Sequence, residues 1–138
     1  MPRPTIVAAQ RVGDLVFLSG RGPTGAVPER TFAGKVGRDL DLAEAKEAAR
    51  AVAINLLAAL RRELGSLDDV AQVVKVFGMV NVAPGFTQIG DVVDGCSELL
   101  LAVFGEEVGA HARTTMGAAE LPNDYPVAID LIVAARPR

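Results

Sequence analysis

One cysteine in the chain, Cys96, excludes an intrachain disulfide and any centre built from several thiolates, and one histidine, His111, leaves too few imidazoles for the common zinc sites. Aromatic residues make up only 4% of the sequence, with no tryptophan, so platforms for stacking single-stranded bases are missing. Positive charge is scarce as well. The net charge is −3 and no run of Lys or Arg occurs, which gives a phosphate backbone no footprint, and nucleic acid is not expected as a partner. The opening MPRPTIVAAQR lacks the continuous apolar core of a signal peptide, and the longest uncharged run, Val76 to Gly90, is broken by Pro84 and three glycines. The expectation is a cytoplasmic chain with no membrane partner. The glycine-rich GRGPTG (20–25) lacks both the spacing and the following helix of a phosphate loop.

What the chain has is hydrophobic surface. Half of its 138 residues are apolar, 22% are charged, and the mean hydropathy is +0.30. That is one domain's length with more apolar surface than one small domain easily hides, so an oligomer is expected.

The apolar segment DLVFLS (14–19) reads as a strand ending in the turn-rich GRGPTGAVPE, and Thr31 to Val36 reads as a short edge strand before Gly37. Asp41 and Glu44 form a D-x-x-E capping box. Behind it Leu42, Ala45, Ala49, Val52, Ala53, Leu56, Leu60 and Leu64 recur at helical spacing, with Gly65 where a C-terminal cap belongs. AQVVKVFGMVNV (71–82) is apolar on both faces, as a central strand is, and Pro84 stops it. A second helix is predicted over roughly Phe86 to Phe104, with Cys96 on its buried side, followed by strands at about His111 to Ala119 and Pro126 to Ala135. The order strand, strand, helix, strand, helix, strand, strand predicts one mixed sheet with both helices on one face. The other face then needs a cover, most simply another copy of the chain.

Along the strand that begins HARTTMGA, alternation puts His111, Arg113, Thr115 and Gly117 on one face. An arginine on a mostly apolar sheet needs an anionic partner, and its planar fork suits a carboxylate held by two hydrogen bonds. Two partners fit: an acidic side chain of the protein itself, or a ligand. His111 could serve as a base near neutral pH or simply pack beside a loop. Asp94 and Glu98 lie one helical turn apart, as a polar helix face also would.

SGRGP (19–23), GKVGRDL (34–40), GCSELLLAVFGE (95–106), HAR (111–113) and LPNDYPVAIDLIVA (121–134) occur in the order and spacing of one family. The chain resembles the RidA/YjgF reactive-intermediate deaminases, within their chorismate-mutase-like subgroup, from about Pro4 to Pro137. The resemblance implies a single domain over residues 1–138 with the α+β chorismate-mutase-like fold, a mixed sheet with two helices on one face. It also implies a homotrimer with clefts between subunits, and hydrolysis of 2-enamino or 2-imino acids to 2-keto acids and ammonia without metal or organic cofactor. In the family the arginine that falls on Arg113 grips the substrate carboxylate. The S-G-Q stretch falls on Ser19, Gly20 and Arg21, where a second cation stands in place of glutamine, and the cysteine two positions after the arginine falls on Thr115. These residues are the implied substrate contacts.

The departures bear on mechanism. The family glutamate that positions the attacking water falls on Ala128, its N-terminal tyrosine near Thr5 or Ile6, and its helix asparagine on Asp94. Imine hydrolysis needs water aimed at carbon and a proton for the departing nitrogen. Asp130, on the same strand face as Ala128, is the candidate substitute, and Arg113 and Asp130 are the candidate catalytic pair. The alternative is a protein that holds a small carboxylate without hydrolysing it, or one that carries out altered, biosynthetic chemistry in which Arg21 and Arg113 meet two carboxylates.

Overall fold

The computed structural model describes residues 3–138. Seven main elements run along the chain: β1 (Ala9–Val12), β2 (Leu15–Arg21), α1 (Leu42–Leu64), β3 (Val70–Asn81), α2 (Ile89–Gly109), β4 (Ala112–Ala118) and β5 (Val127–Ala135). They form one five-stranded sheet in the order β1-β2-β5-β3-β4. β3 and β4 are parallel, and every other neighbouring pair is antiparallel. β5, the last strand, therefore inserts between β2 and β3 and splits the β2–α1–β3 crossover.

The hairpin at the sheet edge differs from the sequence prediction. β1 and β2 are joined by Gly13 and Asp14, with Val12 opposite Leu15, and Gly13 takes φ +61°, a value that suits glycine at the first position of a two-residue turn. The predicted edge strand at Thr31 to Val36 does not form. Gly34 (φ +107°) and Gly37 (φ +95°) turn the backbone on either side, so only Val36 bridges, to Val82 and Leu40. That loop is instead tied down by single bonds, from the Gly34 amide to the Asp124 carbonyl at 2.8 Å and from the Val36 amide to the Asn81 carbonyl at 2.8 Å. Asn81, wholly buried at the end of β3, completes the tie: its amide group accepts from Lys35 Nζ at 2.7 Å and donates to the Tyr125 carbonyl at 3.2 Å.

α1 starts and stops where its caps predict. The Glu44 amide donates to Asp41 Oδ1 at 2.8 Å, the Asp41 amide donates to Glu44 Oε1 at 3.2 Å, and Gly65 closes the helix at φ +88° with its amide on the Arg61 carbonyl. α2 begins later than predicted, at Ile89, because the Pro84–Gly85 turn leaves Phe86 outside the helix. It also runs on to Gly109, broken at Gly105 (φ +81°, ψ 169°).

Both helices cover one sheet face, and between them and the sheet lies the core of Val16, Val52, Leu56, Leu60, Val76, Val80, Leu100, Ile129 and Leu131. The helices touch closely. A Cβ on Gly95 of α2 would stand 2.1 Å from the Lys46 carbonyl oxygen of α1, so the crossing tolerates no side chain there. On the other face Phe17, Ile132 and Lys75 follow one another across the strands, as do Asp130, Phe77 and Thr114, and Ala128, Met79 and Met116. Phe17 is 42% exposed and Met116 50% exposed on this uncovered, largely apolar face.

Because the atom that Gly95 meets is helix backbone, Gly95→Ala is expected to destabilise the fold by about 2 kcal/mol or more, in the range of core overpacking. Urea denaturation followed by circular dichroism checks this, and an unchanged midpoint would mean that the helices can separate at no cost.

Candidate functional site

β4 is an edge strand, and its helix-side residues look onto the first half of α2. Asp94 and Ser97, three residues apart, share one face of that helix. Arg113 reaches them from β4: its Nη1 donates to Asp94 Oδ1 at 2.7 Å and to Ser97 Oγ at 3.2 Å. Nη2 lies 3.4 Å from the Gly90 carbonyl, and Nε has no hydrogen-bond partner among the described residues. The guanidinium is thus steered by its own protein chiefly through Nη1, and its Nε–Nη2 edge carries only the one long bond from Nη2 to Gly90. The Arg113 and Asp94 side chains are 27% and 41% exposed, so the pair stands on a wall open to water.

His111 joins the same group. Its Nδ1 lies 2.7 Å from the Gly109 carbonyl, and its Nε2 lies 2.9 Å from Ser97 Oγ. A carbonyl only accepts, so Nδ1 carries the proton. In the neutral imidazole Nε2 is then the acceptor and takes the Ser97 hydroxyl hydrogen, while Ser97 Oγ accepts from Arg113. In that tautomer Arg113 donates to both Asp94 and Ser97, Ser97 donates to His111, and His111 donates to the Gly109 carbonyl. Asp94, Ser97, Leu101, Ala110, His111 and Arg113 line an open cleft of about 340 Å³.

The other sequence candidates lie elsewhere. Thr115 is one step along β4 on the Arg113 face, opposite Gly78 of β3. Ser19, Gly20 and Arg21 end β2 and line a separate hollow of about 270 Å³ with Ile6, Val7 and Ala8. Ser19 Oγ donates there to the Val7 carbonyl at 2.6 Å. β2 and β4 are three strand spacings apart, about 14 Å, so one chain does not bring the two groups to a single small ligand. Asp130 and Ala128 are on the uncovered face, opposite Phe77 and Met79, while Arg113 is on the helix-covered face. Glu98, weighed with Asp94 in the sequence, turns away to Lys46 at 3.1 Å.

Burial pushes the Cys96 thiol up to about 12 despite the nearby Arg113 charge, so it stays protonated and unreactive. No cluster of three or more His, Cys, Asp or Glu side chains suited to a metal ion occurs among the described residues. Nor, among them, is any helix long and apolar enough to cross a membrane. Ser97 is the site residue that sequence reading missed. Its signal was the three-residue spacing from Asp94, facing the alternate pair His111 and Arg113.

Comparison with known proteins assigns this mixed sheet with two helices on one face to a family. Residues 7–133 match the family described as "YjgF/chorismate mutase-like, putative endoribonuclease", and the chain belongs to that family. The Agrobacterium tumefaciens protein Atu1372, of unknown function, is 38% identical, with 96% of this chain and 83% of that one covered at a TM-score of 0.90. A Shewanella oneidensis protein described as a putative endoribonuclease is 25% identical, with 97% and 87% covered at a TM-score of 0.89. Protein TCP17 of Trypanosoma cruzi is 44% identical over 100 residues, which span 72% of this chain and 62% of TCP17. The Escherichia coli YjgF product, 20% identical with 96% and 89% covered at a TM-score of 0.62, shares the fold.

Burial on the uncovered face raises the Asp130 carboxyl above the usual carboxylate range, with the Lys75 charge partly opposing it. The native state therefore holds this proton at a higher pH than the unfolded chain does. The resulting stability is fully present below the unfolded carboxylate pKa and is lost as pH rises through the native one. Asp130→Asn is expected to raise the urea midpoint over wild type at pH 7 and to match it at pH 3; an equal difference at both pH values would point to packing instead of titration.

Proposed function

We propose that the chain hydrolyses a small 2-imino or 2-enamino acid to a 2-keto acid and ammonia, without a cofactor, and that Arg113 anchors the substrate carboxylate. The observation that carries this reading is the Arg113 guanidinium on the wall of an open cleft, held by Asp94 and Ser97 through Nη1, with Nε unpaired among the described residues and Nη2 engaged only by a long bond to the Gly90 carbonyl. The Nε–Nη2 edge offers two parallel N–H donors, the geometry that a carboxylate accepts best. Asp94 balances the arginine charge and leaves a neutral pair, which suits a ligand that brings both a carboxylate and a protonated nitrogen.

The cleft is completed in this reading by a neighbouring copy, in a cytoplasmic homotrimer whose subunits cover the exposed Leu15, Phe17 and Met116. Thr115 contributes from the Arg113 strand. Ser19, Gly20 and Arg21, three strands away in one chain, contribute across the subunit boundary, and Asp130 reaches the cleft only from a copy other than the one that supplies Arg113. The endoribonuclease named in the family description is less well supported, because 17 acidic against 14 basic residues leave an RNA backbone no positive groove.

One observation favours a second reading, a carboxylate-binding or altered-chemistry protein that does not hydrolyse imines. Ala128, the position on which the resemblance puts the family's water-positioning glutamate, carries only a methyl group and lies opposite Met79. Keto-acid and ammonia release from freshly generated 2-iminopropanoate and a bulkier 2-imino acid separates the two. Wild type is expected to exceed the uncatalysed rate, and Arg113→Ala is expected to lose at least about a hundredfold in kcat/KM, about 2.7 kcal/mol of transition-state binding. Background rates for wild type, with 2-oxobutanoate still bound, would transfer the assignment to the binding protein. A monomer at working concentration would remove the shared cleft.

A further inference from the structure

Ser97 helps to hold Arg113, but its contact with His111 adds nothing to a carboxylate anchor, and the pair opens onto the cleft that the anchor lines. Its geometry is more constrained than packing alone requires. Ser97 Oγ is 2.9 Å from His111 Nε2, the imidazole is fixed from behind by the Gly109 carbonyl at 2.7 Å, and the Arg113 charge is 3.2 Å from the same hydroxyl. A hydroxyl, a base whose acceptor nitrogen points at it, and a third group that fixes the tautomer are the parts needed for proton transfer. The carbonyl that orients the ring is itself set by the chain. Gly109 packs so tightly on the part of α2 before the Gly105 break that a Cβ would stand 2.9 Å from the Leu100 carbonyl oxygen, which pins the corner between α2 and β4.

We propose that Ser97 and His111 are the proton-transfer pair of the Arg113 cleft and take over the task that a carboxylate at position 128 would perform. The proposal rests on the imine-hydrolysis reading above. With the substrate carboxylate on the Nε–Nη2 edge of Arg113, a water beside Ser97 Oγ attacks carbon 2 of the protonated imine. The new C–O bond forms as the C=N π pair moves to nitrogen. The water gives a proton to Ser97 Oγ while the Ser97 proton passes to His111 Nε2, which leaves a neutral carbinolamine and an imidazolium. The imidazolium then returns its proton through Ser97 to the amino nitrogen. The C–N bond breaks with its pair leaving on ammonia, the C=O bond forms, and the hydroxyl proton goes to solvent. One protonated imine and one water give one keto acid, one ammonia and one proton, with no other reactant.

The charged groups facing this pair are Asp94 from α2 and Arg113 from β4, and they are already joined to each other. Glu98, on the same helix, is engaged by Lys46 on its far side. The relay needs Nε2 as an acceptor, a role that an imidazole carrying both protons does not fill. Cys96, next in sequence to Ser97, cannot substitute, because it is buried and its thiol stays protonated.

The test compares wild type, Ser97→Ala, His111→Ala and His111→Gln in steady-state turnover of 2-iminopropanoate across pH, with 2-oxobutanoate binding by calorimetry on the same samples. Expected are losses in kcat of about a hundredfold or more in all three variants, 2-oxobutanoate affinity within threefold of wild type in the two His111 variants, disappearance of the acid limb in His111→Gln, and partial recovery of His111→Ala by added imidazole. Variants that turn over at the wild-type rate with the acid limb intact would overturn the pair while leaving the anchor and the hydrolysis in place. His111 variants that lose 2-oxobutanoate binding along with turnover, with no imidazole recovery, would assign the imidazole to holding Ser97 and Arg113 in position and overturn the relay. A wild type that binds 2-oxobutanoate but does not accelerate hydrolysis would remove the underlying reaction and the relay with it.

Discussion

The crossing of α2 over α1 at Gly95 is the contact on which the other features depend. With a carbonyl oxygen of α1 in the space a side chain would need, the two helices sit as close as backbones allow, and Val93 on the same helix drops into the gap left by Gly78 of β3. Those two glycines set both the height and the rotation of α2. Val92, Cys96 and Leu100 are thereby driven into the core, and the neighbouring face, with Asp94 and Ser97, is turned toward the edge strand β4. A helix raised by the thickness of a methyl group would draw both side chains away from Arg113. The polar site is therefore a by-product of apolar packing: dispersion and burial place the helix, and the charges meet because of where it lies.

Electrostatics then decides what the site can hold. An arginine on the helix side of a sheet costs heavily unless its charge is met, and Asp94 meets it at 2.7 Å. The pair is not sealed, and this openness separates a binding wall from a structural ion pair buried for good. Ser97 Oγ touches both Arg113 and His111, so the arginine, the hydroxyl and the imidazole form one hydrogen-bonded network. A charge brought to one end of the cleft would be felt by the imidazole at the other.

The sequence held much of this, unevenly. A capping box and a C-terminal glycine marked α1 because those signals act within one turn of backbone. The edge strand predicted at Thr31 to Val36 is a loop instead. Its apolar residues read as strand, but glycines at positive φ on both sides and bonds to Asn81 and Asp124 gave its backbone other partners. Asn81 and Lys35, which tie that loop to the end of β3, carried no local signal, since their contact joins residues 46 apart. For the site, strand alternation put His111 and Arg113 together, and helix spacing set Asp94 apart for notice. Ser97 escaped because a serine in the middle of an apolar helix looks ordinary until something polar is seen opposite it.

By itself, the sequence determined the class of fold, the helices and their ends, which residues share each strand face, and the presence of an arginine in need of an anion. These properties follow from periods of two and 3.6 residues and from caps a few residues long, so the physics that sets them is local. Only the tertiary structure decided that β5 inserts between β2 and β3, that Ser19 to Arg21 lie three strands from Arg113, and that Asp130 faces away from it. It also decided that Arg113 meets Asp94 and Ser97. Those outcomes depend on how whole elements stack, and stacking is settled by close packing summed over the entire core, where a missing Cβ at Gly95 weighs as much as any charge.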